Sequence, residues 1–245
     1  MNAATNIAIR AVILLAVSLS LGACVADPHR SPADVPPEKI DQKDIERKNA
    51  QIQLDLVRDM ISKGQDYAAL AHIQDLKQHG NGDDEVTLLE ADCRRHLGQT
   101  AESDALYRKL VGGKLAGQSY HGMGLLYVRS NPVFALSSLR RAAQLLPTDP
   151  DVRNDYGRAL MEAGRYNDAM QELSTASELA PETINSRRNL ILLMMLMHNE
   201  PAVTQLAQQA AIDPAGLQKL RTQAQRIKAQ QPQTPSQPGK AAANS

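Results

Sequence analysis

Cys93 and His96 stand three positions apart, one turn of a helix, and a thiolate beside an imidazole is half of a tetrahedral metal site. No second Cys/His pair accompanies them, so a buried structural thiol beside an ordinary histidine is the simpler account. The run Asp83-Asp84-Glu85 would attract a cation, but carboxylates equally suit the positive N-terminal end of a helix. The chain contains no Gly-rich phosphate loop, HExxH pair, GxSxG elbow or paired CxxC. These residues predict no catalytic centre, no metal and no cofactor.

Composition narrows the class further. Of 245 residues 42 % are hydrophobic, yet only 3 % are aromatic, with no Trp and one Phe. The interior must therefore be built from Ala, Leu, Met, Val and Ile, mostly residues that suit close-packed helices. Lys plus Arg equals Asp plus Glu at 27 each, so no global field steers the chain toward nucleic acid, and aromatics that could stack bases are scarce. A small-molecule substrate is likewise not indicated.

Cys24, the other cysteine, sits in a different context. Arg10 supplies a short positive region, and Ala11 to Leu21 is an apolar run of the length of a secretory signal, too short for the about 20 residues that span a bilayer. It ends in Leu21-Gly22-Ala23-Cys24, which resembles the bacterial lipobox, whose cysteine receives a diacylglycerol thioether and becomes the new N-terminus. The resemblance implies a membrane-anchored lipoprotein with residues 1–23 removed and no transmembrane helix. In the sorting rule of that class Asp after the cysteine retains the protein at the inner membrane; Val25 here implies the outer membrane, with the protein facing the periplasm. Residues 24–44 hold the acylated cysteine and a Pro-rich, polar stretch that reads as an extended tether.

The body, residues 45–229, carries an internal repeat. Ala135 and Ala169, Leu139 and Leu173, Ala142 and Ala176, Leu145 and Leu179, and Pro147 and Pro181 match at a constant offset of 34. Val152, Tyr156, Leu160 and Ala163 form one helical stripe, and Ala169, Leu173, Ala176 and Ala180 a second that faces it. Gly157, Ala169 and Ala176 permit close helix approach, Gly164 accommodates the turn, Asp149-Pro150 caps and starts one helix, and Pro181 stops the next. With Tyr156-Gly157, Leu160, Gly164, Tyr166, Ala169, Leu173, Ala176 and Pro181 in these places, the segment resembles a tetratricopeptide repeat almost position by position.

In the preceding copy Gly124 and Tyr127 take the small and large places, and the Ser130-Asn131-Pro132 turn is one residue shorter. Weaker copies flank these two: Leu56, Met60, Gly64, Ala69 and Ile73, then Ala91, Gly98, Ser103 and Tyr107, with Gly80-Asn81-Gly82 between them. A fifth hairpin follows from Asn185 to Ala211, then a capping helix from Pro214 to about Ala229. The expected fold is thus an all-α tetratricopeptide solenoid of about five hairpins with a C-terminal cap, followed by a low-complexity tail at 230–245. The apolar run Leu190 to Met197 is expected to be core, covered by the fourth hairpin on one side and the cap on the other.

In such repeats the first helix of each hairpin lines a concave groove that receives peptide segments, and the resemblance places His121, Asn154, Arg158, Arg188 and Met195 there. These lack the Lys/Asn set that clamps a C-terminal carboxylate. The central stretch from Tyr120 to Glu182, together with Arg187-Arg188-Asn189 and the Leu-Met run, is similar to the TadD-type repeat lipoproteins of the Tad (Flp) tight-adherence pilus system. That likeness implies an assembly factor acting on the pilus secretin or another Tad component through the groove. A scaffold for cell-wall enzymes, or for another pilus or secretion system, is the alternative.

Overall fold

The computed structural model describes residues 42–80 and 82–231. Cys24, the signal-like run, the tether up to residue 41 and the tail beyond 231 lie outside the described residues. Contacts divide the chain at Ile45. The body from Glu46 onward carries ten complete helices and most of the first.

The elements are α1 (Gln42–Ser62), α2 (Asp66–Gln78), α3 (Asp84–His96), α4 (Thr100–Leu110), α5 (Ala116–Tyr127), α6 (Pro132–Leu145), α7 (Pro150–Glu162), α8 (Tyr166–Leu179), α9 (Ile184–Leu196), α10 (Glu200–Gln209) and α11 (Pro214–Gln230). Consecutive pairs make five hairpins, α11 closes the array, and no strand occurs among the described residues. From α3 to α10 each helix packs mainly on its hairpin mate and on the adjoining hairpin, while α2 packs on α3 and α11 on α9, as expected of a solenoid whose units bury their faces by stacking.

Helix starts follow local chemistry. Asp83, Asn131, Asp149, Asn199 and Asp213 each accept a hydrogen bond from a backbone N–H of the first turn, so Asp83 serves as the cap of α3. Helix ends repeat just as closely. At Gly64, Gly98, Gly164 and His198 the chain turns left-handed with φ between +58° and +75°, and the next N–H reaches back to the carbonyl five residues earlier. This is the Schellman motif, which Gly adopts without strain and His198 does not. The turn between α5 and α6 is the exception. One residue shorter, it has no left-handed residue and closes instead through Asn131 N–H to Tyr127 O at 2.8 Å.

Where the repeat is strong, its small residues are required by the packing. A Cβ on Gly157 would lie 2.7 Å from Leu173 Cγ, and one on Gly124 would lie 2.5 Å from Leu139 Cγ, so equivalent pairs touch in successive hairpins. Leu145 and Leu179 are equivalent in exposure too, at 39 % and 41 %.

The core is unevenly distributed. One large cluster runs from Leu139 in α6 to Ile227 in α11 and contains every residue from Leu190 to Leu196, whereas the first hairpin shares only Leu54, Val57, Ala69, Ile73 and Leu76 with Val86, Leu89 and Cys93 of α3. Three expectations need correction. Leu56 is exposed, because the register of α1 turns Leu54 and Val57 inward instead. Ala163 is also exposed, as the C-cap of α7, and Met161 is the buried residue at that end of the stripe. Met197 is 38 % exposed, so the buried run stops one residue earlier, at the C-cap of α9.

Candidate functional site

Between α5, α6 and α7 lies an open cavity of about 860 Å³. Leu125 and Val128, Ala135 and Leu139, and Ala159 and Ala163 supply its aliphatic surface; Arg129, Asp155, Arg158 and Glu162 supply charge, and Gln230 at the end of α11 closes one side. Its volume falls within the roughly 300–1,000 Å³ of ligand sites, and its mixed lining suits a polypeptide segment. The largest share of the side chains comes from α7, the first helix of the fourth hairpin, with α6 and the C-terminal end of α5 supplying the rest of the wall.

Helix α11 determines how far this groove extends. It packs on α9, and Leu220, Ala224 and Ile227 join the core that holds the Leu190–Leu196 run. The residue after its last turn, Gln231, donates from Nε2 to the carbonyls of Met161 at 3.0 Å and Glu162 at 3.3 Å, and its Oε1 accepts from the Tyr166 hydroxyl at 2.7 Å. Those carbonyls belong to the last turn of α7, where Met161 O also accepts from the Gly164 N–H at 3.0 Å. The end of α11 is thereby fastened to the turn between α7 and α8.

The five groove residues read from the sequence divide. Arg158 lines the cavity, half-exposed, with Nε donating to Glu162 Oε1 at 3.1 Å. His121 and Asn154 join neighbouring hairpins: His121 Nε2 is 2.8 Å from Asp155 Oδ2, and Asn189 Nδ2 donates to Asn154 Oδ1 at 2.8 Å. Arg188 is exposed but does not line the cavity. Met195 is buried at 7 % within the core of the fifth hairpin and α11, so it is not a groove residue. Arg129 was missed. Its signal was positional, since it lies 33 residues before Glu162 and the short turn removes one residue from the repeat between them.

Cys93 and His96 also separate. Cys93 is fully buried in the first-hairpin cluster, and burial together with Asp66 and Asp92 pushes its thiol up to about 12. His96 Nδ1 meets Asp66 Oδ1 at 2.9 Å while Arg95, which only donates, lies 3.0 Å from Nε2. Nε2 therefore accepts and Nδ1 donates to Asp66. Next to them Tyr107 donates to Asp92 Oδ1 at 2.6 Å and accepts from Arg95 Nε at 3.1 Å, with burial and Asp92 holding the phenol well above its ordinary range. Glu90, whose burial alone would raise it, is held below the usual carboxylate value by Lys77 and Arg94, which hydrogen-bond to it. These polar groups tie helices together. Among the described residues no group of three potential metal ligands occurs, and no helix is long and apolar enough to cross a membrane.

Stacked helical hairpins around an open groove define a class of protein that works by holding other polypeptides. Residues 131–188 match the family model of the tetratricopeptide repeat. A TPR repeat-containing protein of Pseudomonas aeruginosa is 33 % identical over 194 residues, covering 79 % of this chain and 75 % of the relative. A thermophilic TPR protein of Thermus thermophilus superposes with a TM-score of 0.57 at 19 % identity, over 74 % of this chain and 99 % of that one. MamA of Desulfovibrio magneticus gives 0.52 at 15 % identity, over 66 % and 93 %. The chain belongs to the tetratricopeptide-repeat proteins, a fold that typically serves as a non-enzymatic scaffold for protein–protein interaction.

Proposed function

We propose that this protein is a lipid-anchored assembly factor of the bacterial envelope, of the TadD type, which holds a segment of the Tad (Flp) pilus secretin in the groove between α5, α6 and α7. The single observation that carries the binding half is the open cavity with its aliphatic surface and exposed Arg158. Support for the anchor is the Leu21-Gly22-Ala23-Cys24 sequence, and Val25 supports an outer-membrane, periplasm-facing location. Two or three acyl chains hold a protein firmly where one holds it marginally, so Cys24 would keep the groove at the membrane surface while secretin subunits arrive. Binding needs no catalysis: selection of one segment by shape and charge suffices.

Deletion of the gene is expected to leave secretin subunits unassembled or mislocalised, and normal multimers in the deletion strain would refute the role. Recovery of cell-wall enzymes in place of secretin on an affinity matrix would favour a scaffold instead. Cys24→Ser is expected to abolish incorporation of a labelled fatty acid; label retained in that variant would refute the anchor.

A further inference from the structure

We infer that the groove selects an internal segment in which a Glu or Asp stands beside aliphatic side chains, with Arg129 as the residue that reads the carboxylate. The inference rests on the groove being the partner site. Of the four charged residues lining the cavity, three are engaged with protein groups: Asp155 meets His121, and Glu162 accepts from Arg158. Arg129, also on the cavity, is exposed and makes no hydrogen bond or ion pair among the described residues. The lining carries two guanidiniums and two carboxylates, and Arg129 is the guanidinium left without a protein partner; its planar fork of donors matches a carboxylate.

Around it the lining is aliphatic, from Leu125 and Val128 on one side to Ala159 and Ala163 on the other, with no aromatic side chain. A segment of alternating acidic and aliphatic residues satisfies both features at once, whereas a basic segment would leave Arg129 facing a like charge. The end of the groove is also set. With α11 packed over α9 and Gln231 fastened to α7, a bound segment meets Gln230 and cannot continue onto the fifth hairpin. The occupied surface is that of the third and fourth hairpins.

The test is fluorescence anisotropy on the full chain in detergent with two labelled twelve-residue probes, one alternating Leu and Glu and one with every Glu replaced by Gln. The Glu probe is expected to bind at least tenfold more tightly at low salt. Arg129→Ala should remove that preference while leaving the weaker affinity for the Gln probe, and Ala159→Trp should block both probes. Circular dichroism checks that each variant is folded. Equal affinity for the two probes, both blocked by Ala159→Trp, overturns the acidic preference and leaves the groove standing. A preference that survives in Arg129→Ala overturns the role of that residue. Binding of neither probe, or binding untouched by Ala159→Trp, overturns the groove reading together with this one.

Discussion

His121 of α5 and Asp155 of α7 are equivalent to Asn154 of α7 and Asn189 of α9, and both pairs hydrogen-bond across a junction between hairpins at 2.8 Å. The same place in the repeat is filled by different chemistry at successive junctions. The pairs act as rungs that fix how one hairpin is set against the next.

Removing either member of the first rung should loosen that junction. His121→Ala or Asp155→Ala is expected to cost about 0.5–1.5 kcal/mol in urea unfolding, with the double variant costing less than the sum of the two. The exchange His121→Asn with Asp155→Asn recreates the next rung and should restore most of the loss. Strict additivity of the alanine variants would show that the contact contributes nothing.

Gly157 is held against Leu173 with no room for a side chain. Gly157→Leu should lower stability by about 1–3 kcal/mol, because overpacking outweighs the better helix propensity of leucine. Gly112→Ala, where an added Cβ meets nothing within 4 Å, is the control and should be close to neutral by thermal melting.

His198 occupies a left-handed position that three other hairpins fill with glycine. His198→Gly is expected to raise stability by about 0.5–1 kcal/mol, since the strain of a side chain at positive φ is relieved. Chemical denaturation measures it, and a lowered midpoint would show that the contact between His198 and Lys228, 3.1 Å apart, outweighs the strain.

Gln231 secures α11 across 65 to 70 residues of sequence through Tyr166, Met161 and Glu162. Gln231→Ala should speed amide exchange in the last turns of α11, from Ala224 onward, while the first turns stay protected. Uniform protection along α11 would mean that the apolar contacts alone hold the helix.

Cys93 should resist thiol reagents in the folded protein. Its ordinary value of 9.0 is raised to about 12, so at pH 8 to 10 the thiol stays protonated as well as buried. Because the folded state keeps its proton longer than the unfolded state, this group's contribution to stability is present below pH 9 and declines as the pH climbs toward 12. In the Cys24→Ser chain, labelling by a disulfide reagent at pH 8 should be more than tenfold slower than in guanidinium, and comparable rates would contradict the burial.

The hairpin count, the caps and the turns were legible because each is written locally: Asp149 before Pro150, Gly164 at a turn, small residues at a fixed interval. Leu56 was misread because α1 has no glycine to set its register, and Val57 stands where the central copies have one. The groove was harder to read. Position in the repeat correctly placed Arg158 at the cavity, but it could not show that α11 would fold over α9 and bury Met195, since that docking brings together residues distant in sequence. Nor could it show that His121 and Asn154 would be engaged by Asp155 and Asn189.

The uneven core has a mechanical consequence. A pull on the N-terminal end of the array is met first by α1 and α2, whose buried side chains share a cluster only with α3, and only later by the dense apolar block around α9. The first hairpin would act as a fuse, peeling away under load and paying out length while the third and fourth hairpins keep their shape.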